Sequence, residues 1–236
     1  MKNIYEPEFV KNLFDKMSSS YENMNYITSF GFSIRWRKQF LSKLGRSNKK
    51  LNIIDLLSGL GENWKYLKEN FPNSNFYALD FSTKMVNQSK LKADKIFDKK
   101  LNLLCENILQ NQLKSNHFDI ISCAYGLKTF NNEQLEILAK EINRILKPNG
   151  KFSFVEVSKP KNKLLFICYQ FYLSKIIPIL GKLFLGNAND YKMLWIYTKN
   201  FENCDKIIEI FRKNNLNVKL DTYFFGCATG ISGSKL

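Results

Sequence analysis

Histidine is all but missing from this chain: His117 is the only one in 236 residues. Cysteine is scarce and badly arranged for chemistry. Cys105, Cys123, Cys168, Cys204 and Cys227 are odd in number, widely spaced and form no CxxC pair. That argues against a disulfide framework and a thiolate zinc centre, and it fits a reducing cytoplasm. No metal-ligand set is assigned. Acidic residues are outnumbered, 21 against 36 basic ones, for a net charge of +15. A basic surface attracts nucleic acid, anionic membrane or anionic substrate. Here the charge is spread in short runs such as "SNKK", "FDKK" and "SKPKNK", which is also what a Lys-rich composition bias produces. No aromatic-basic RNA motif or appended binding module is visible, so no nucleic-acid partner is expected. The opening "MKNIYEPEFVKNLFDKM" carries acids and no continuous apolar core, unlike a secretory signal. Long apolar runs are also lacking. The greasiest segment, residues 164–186, is interrupted by Lys175, Pro178 and Lys182. A spanning helix needs about 20 apolar residues in a row, so two short amphipathic or buried helices are expected instead.

What remains is the composition of a chain that buries a sizeable core: 44% hydrophobic, 24% charged, 5 Pro and 11 Gly, enough for one large α/β domain or two small ones. Residues 8–18 and 35–44 read as helices. Between them "SSSYENMNYITSFGFS" reads as a loop or short helices able to cover a site. From residue 50 strand-like and helix-like stretches alternate: "LNIIDLL", "ENWKYLKENF", "NFYALDF", "TKMVNQSKLKADKI", "LNLLCEN", "HFDIISCAYGL". In "NEQLEILAKEINRILKP", Leu135, Leu138, Ile142 and Ile145 recur at helical spacing, and Asn131 or Asn132 can cap the start. "KFSFVEVS" is a fifth strand, "CDKIIEIFRKNNL" a helix, and "VKLDTYFFGCATGISGSKL" a closing pair of strands. This alternation predicts a doubly wound, mostly parallel seven-stranded α/β sheet with helices on both faces. Ligands of such sheets bind beyond the carboxyl ends of the strands. That rule places Asp55–Gly61, Asp80, Asn107 and Tyr125–Thr129 along one rim, and His117 at the other end.

The stretch "NIIDLLSGLGEN" carries the first chemical signal. Gly59 and Gly61 after a buried strand permit positive φ and close backbone approach to a ligand, and a helix starting near Glu62 offers free N–H groups. The spacing is not G-x-G-x-x-G, and no phosphate-binding lysine follows, which excludes a nucleoside triphosphate loop. Asp80 ends the second strand about 20 residues further on, where a carboxylate can accept both hydroxyls of a ribose; capping the helix after it is the plainer role. Asn107 can hydrogen-bond an adenine amino group, with the Ile108 N–H meeting a ring nitrogen, or simply close a turn.

These pieces in this order resemble a class I S-adenosylmethionine-dependent methyltransferase. "VKNLFDKMSSSYENMNYITSFGFSIRWRK", "FDIISCAYGLKTF", "ILKPNGKFSFVEVSKP", "NDYKML" and the terminal "FFGCATGISGSKL" narrow the resemblance to the ubiquinone/menaquinone biosynthesis C-methyltransferase family, over residues 8 to 236. The resemblance implies a Rossmann-like methyltransferase domain over 50–236, with a helical lid at 1–49 and a hydrophobic helical insert at about 161–200. Asp55, Ser58, Gly59 and Gly61 would lie beside the methionine part of S-adenosyl-L-methionine. Asp80 would hold the ribose, Phe81 would flank the adenine, and Asn107 and Ile108 would read it. Ser122, Cys123 and Tyr125 would lie near the sulfonium and acceptor, and Tyr21 and Asn25 in the lid. Three departures stand out. Leu57 replaces a small residue, so the loop must pack differently. "GLKT" puts Lys128 and Thr129 where Arg and Asn are common, and lysine lacks the planar fork of arginine. Trp195, Ile196 and Tyr197 replace smaller or polar residues.

The implied reaction is C-methylation of a quinol precursor of demethylmenaquinol type, or of a related small hydrophobic aromatic acceptor. A different acceptor in specialised metabolism, or a noncatalytic S-adenosylmethionine-binding fold, would share these motifs. Proton removal would fall to Tyr21, Lys128 or water held by them, unless Lys128 stabilises phenolate or is only a solvated loop lysine, and Tyr21 only packs the lid. The greasy segment would line a pocket, touch membrane or form a plain helical layer. The enzyme would be cytoplasmic, with peripheral membrane contact and a homodimer both open to it.

Overall fold

The computed structural model describes residues 3–185 and 188–236. Five strands run parallel: β1 (Asn52–Leu56), β2 (Asn75–Asp80), β3 (Asn102–Cys105), β4 (Phe118–Ala124) and β5 (Leu146–Val157). β6 (Leu216–Tyr223) and β7 (Ala228–Lys235) follow, and β7 is antiparallel to both its neighbours. The sheet order is β3-β2-β1-β4-β5-β7-β6. The expected seven-stranded, mostly parallel sheet is therefore what forms. β1 and β4 are buried nearly throughout because helices cover both faces of a parallel sheet.

The helices are α1 (Pro7–Met17), α2 (Tyr21–Thr28), α3 (Phe32–Ser42), α4 (Trp64–Asn70), α5 (Thr83–Phe97), α6 (Asn132–Ile145), α7 (Lys163–Phe171), α8 (Ile177–Leu185), α9 (Ala188–Phe201) and α10 (Asp205–Lys213). Side chains alternate along β1. Ile53 packs with Trp36, Phe40, Trp64 and Phe97 of α3–α5, while Ile54 and Leu56 pack with Leu138, Ile142 and Phe211 of α6 and α10. The α6 stripe is the one its spacing foretells, and Asn131 and Gln134 close a reciprocal capping box at its start.

The greasy segment differs from expectation. Lys175 and Pro178 do not cut it. α7 passes through a π-helical turn, Tyr172–Ile176, straight into α8. A wider turn just before a proline absorbs its missing N–H and the clash of its ring with the preceding turn. By length and composition Lys163–Leu180 could cross a membrane, with 17% of it buried. Its inner side is nevertheless packed: Leu173 and Ile177 meet Met24 of α2 and Tyr191 of α9.

Candidate active site

A narrow cleft opens beyond the carboxyl ends of β1, β2 and β4, roofed by Phe14, Tyr21 and Arg37 from α1–α3. Its floor is the loop after β1. Gly59 adopts φ 53° and Gly61 φ 76°. The Gly59 N–H donates to Asp80 Oδ2 at 2.8 Å. Gly61 serves packing, since a Cβ there would stand 2.3 Å from the Trp64 ring. Leu57 is forced into the left-handed region, φ 52°, and its side chain fills the space that a Cβ on Gly126 would need. The bulky residue at this position is thus accommodated by a glycine on the next strand's loop.

Asp80 lines the cleft and is buried. Its Oδ1 accepts from the Ser82 N–H at 2.8 Å. Burial pushes its carboxyl up to about 6, against the pull of the Ser82 and Gly59 N–H groups. The helix cap is Ser82, not Asp80: Ser82 Oγ accepts from the Met85 N–H and donates to Asp15 of α1. So α1 is pinned beside the β2 carboxylate.

Asp55 does not line the cleft. Its Oδ1 accepts from Ser122 Oγ at 2.7 Å and Asn63 Nδ2 at 3.0 Å, and burial pushes it up to about 7. Ser122 is the register partner of Asp55 in the sheet, and so it too stays beneath the cleft. Cys123 alternates to the other face, into the core under α6. Ala124 and Tyr125 are the β4 residues that reach the cleft. Asp55, Gly61, Ser122 and Cys123, expected beside the donor, therefore do not themselves line the cleft, because strand alternation and packing turn the three side chains away and Gly61 faces the Trp64 ring. Ser58, Gly59 and Phe81 do line it. Asn107 and Ile108 border a smaller recess reached past Leu57 and Phe81. There Asn107 Oδ1 closes its own turn by accepting from the Leu109 N–H, leaving one lone pair. His117 sits at the far end of the sheet, near Tyr77.

A second cavity of about 310 Å³ adjoins the cleft, and Tyr21 and Tyr125 line both. Its walls are aromatic and aliphatic, drawn from α2, α3, α7 and the 224–227 turn. Lys128 is the one charged side chain lining it among the described residues. That ammonium is not solvated. It donates to Glu156 Oε1 at 2.9 Å and to the Tyr125 carbonyl at 2.6 Å, and Glu156 is wholly buried. Of three N–H groups, one is left for a ligand. Burial, then the Glu62 charge, drives the Tyr21 phenol far up. The Tyr125 phenol is raised by burial too, and its hydroxyl donates to the Ser33 carbonyl at 3.1 Å. Both tyrosines keep their protons at neutral pH, so neither is a general base in this arrangement. Thr129 turns its hydroxyl onto the Gly126 carbonyl. Trp195 packs against Phe166 with the rings tilted and Tyr197 donates to the Ile4 carbonyl; from that stretch only Leu194 lines the cavity.

The sequence reading missed Phe14, Arg37, Glu62, Asn63 and Glu156. Two signals were available. Glu62 and Asn63 follow Gly61 directly, and Glu156 is an acid between Phe154, Val155 and Val157 at the buried end of β5, a position where charge is kept only if paired.

A model of the ubiE/COQ5 methyltransferase family matches residues 1–235. Demethylmenaquinone methyltransferase of Lactococcus lactis is 31% identical over 208 residues, which is 87% of this chain and 81% of the relative. That of Chlamydia muridarum is 29% identical over 233 residues, 97% of each. Among solved structures, phosphoethanolamine N-methyltransferase 2 of Haemonchus contortus, in complex with S-adenosylhomocysteine, superposes with TM-score 0.65 at 13% identity. It is matched over 94% of this chain but only 60% of its own length. A SAM-dependent methyltransferase of Thermotoga maritima superposes with TM-score 0.65 at 16% identity, over 95% of this chain and 99% of its own.

Proposed function

The chain belongs to the ubiE/COQ5 methyltransferase family and takes its methyl group from S-adenosylmethionine; from that premise we propose that it methylates a ring carbon of a hydroquinone of demethylmenaquinol type. The observation that carries this reading is the apolar cavity joined to the donor cleft through Tyr21 and Tyr125, with a single fixed ammonium in its wall. The bound donor supplies a methyl carbon that is already activated. The chain's residues suit such a donor: Asp80 offers its remaining lone pairs to the ribose, Phe81 flanks the base, and Asn107 and the Ile108 N–H read its edge.

For the acceptor the protein must orient a flat ring, exclude water and favour loss of a phenolic proton. Aromatic walls do the first two. Lys128, locked by Glu156 and the Tyr125 carbonyl, presents its third N–H to a ring oxygen and stabilises the phenolate that makes the ring carbon nucleophilic. No carboxylate or imidazole lines this cavity among the described residues, so no side chain there is assigned as the proton acceptor. Residues 1–49 serve as the lid: Phe14, Tyr21 and Arg37 close the donor cleft, and the end of α2 walls the acceptor cavity.

An acceptor with a long apolar tail lies in a bilayer, and the rim of the cavity suits one. Phe30 and Phe224 line the cavity and are exposed, Phe225 lies beside Phe224, and Phe171 and Ile179 are exposed on α7 and α8, with Lys175 and Lys182 exposed on the same helical segment. Such a face inserts into the interface while lysines meet anionic headgroups. One preparation tests both parts. With vesicles containing phosphatidylglycerol and a demethylated naphthoquinol, methyl-labelled donor should transfer label to the lipid fraction, and the protein should float with the vesicles at low salt. Unlabelled lipid sinks the acceptor assignment. Labelling without flotation sinks the membrane contact alone.

A further inference from the structure

The donor's base needs more room than the structure gives it. The recess past Leu57 and Phe81, bordered by Asn107 and Ile108, measures about 20 Å³. A single water needs about 10–15 Å³, so the recess has room for a water or two and not for a purine. One of its walls has to move when the donor enters. The inner walls are fixed: Phe81 follows β2 directly, and Asn107 closes its own turn. The outer wall is Tyr5, Pro7 and Val10, and Tyr5 lies in a turn over residues 3–6, before α1 begins at Pro7.

Two side chains hold that turn down. Tyr197 of α9 donates to the Ile4 carbonyl at 2.6 Å, and Gln134 of α6 donates to the Tyr5 carbonyl at 2.9 Å. Tyr197 is 2% exposed, and its ring meets the Tyr5 ring edge-on, 6.0 Å between centroids. The Tyr197 hydroxyl has one proton, and Ile4 receives it. α1 itself is anchored separately, through Asp15 to Ser82 Oγ and to the Lys84 N–H. Lifting residues 3–6 therefore breaks two side-chain hydrogen bonds and one ring contact, and leaves α1 in place. Segments with so few contacts open at low free-energy cost. Tyr197 is also one of the positions where smaller or polar residues are usual in the motif, and the acceptor cavity does not use it.

We propose that Tyr197 is a positioning residue for the donor: it latches residues 3–6 as a gate over the base recess, with Tyr5 as the side chain that closes on the base. Tyr197 acts through this turn and does not touch the ligand. With the gate lifted the base enters beside Phe81. With the latch remade Tyr5 covers it and shuts out water. α9 also carries Leu194 into the wall of the acceptor cavity, so the latch is mounted on a helix that walls both sites. This inference rests on the donor reading of the cleft and its recess, and not on the identity of the methyl acceptor.

The test is the rate at which labelled S-adenosylhomocysteine leaves the protein under an unlabelled chase, together with amide hydrogen exchange across residues 3–6. Tyr197→Phe keeps the ring and removes only the latch hydroxyl. An ordinary hydrogen bond corresponds to roughly two- to tenfold in an equilibrium, so the ligand should leave this variant about fivefold faster than wild type. In wild type the ligand should slow exchange at residues 3–6. In Tyr197→Phe that protection should shrink, while exchange in β1 and β4 keeps its wild-type rate. Tyr197→Ser, which removes the ring contact with Tyr5 as well, should release the ligand faster still. Equal release from wild type and Tyr197→Phe overturns the latch. So does faster exchange throughout the sheet, the mark of a tyrosine that only supports the fold. Failure of the wild type to bind S-adenosylhomocysteine overturns the donor cleft, and the gate with it.

Discussion

Asp80→Ala will leave no measurable affinity for S-adenosylmethionine by calorimetry. Two losses add. The ribose loses its carboxylate acceptor, and the glycine loop loses the anchor that holds the Gly59 N–H at 2.8 Å. Hydrogen bonds to charged groups contribute about 1.5–3 kcal/mol each, so two of them correspond to roughly two to four orders of magnitude in affinity. The same carboxylate gives the wild type a pH signature. Burial raises it to about 6. As pH falls through that value the carboxylate gains a proton and ceases to be a full acceptor, so donor affinity should decline below pH 6 and be steady above it. Asp80→Asn should bind weakly at every pH without the decline near 6. Affinity in Asp80→Ala equal to wild type would remove the ribose assignment.

Lys128→Met will cost both stability and turnover, and the two losses can be separated. Glu156 is fully buried, and its charge is balanced by Lys128 at 2.9 Å. Removing one partner of a buried pair leaves an uncompensated charge, a penalty of about 3–5 kcal/mol. For a chain of this size that is a melting temperature lower by roughly 10 °C. Pairing it with Glu156→Gln removes the stranded charge and keeps one acceptor oxygen, for one of the Lys128-position and Val157 N–H groups that Glu156 now serves through separate oxygens. The double variant should regain most of the melting temperature and bind donor normally. Its turnover should stay about 10²–10³-fold below wild type, the usual effect of losing one donor to a developing oxyanion. If the double variant recovers turnover along with stability, Lys128 is structural only.

Much of this was legible in the sequence, because the signals are local. Strand and helix alternate in the hydrophobic pattern, and the α6 stripe repeats at three and four. The glycine pair after Asp55 and the acid at position 80 mark the strand ends where ligands bind. Net charge and the absence of metal-ligand spacing narrowed the chemistry before any fold was known. Family membership, too, was written in the order of motifs along the chain.

Only the folded chain decided which of those residues face the ligand. Asp55 and Ser122 look like cleft residues until their register pairs them with each other. Cys123 looks like one until strand alternation turns it to the other face. Arg37, Glu62 and Asn63 are separated by up to 26 positions and meet only because α3 crosses above the glycine loop. The Lys128–Glu156 pair spans 28 positions, and it turns an apparent loop lysine into a fixed, buried cation. Secondary structure and strand ends follow from short-range spacing of side chains, which one sequence displays. The pairing and direction of side chains follow from packing between distant segments, and that exists only once the sheet has closed around its core.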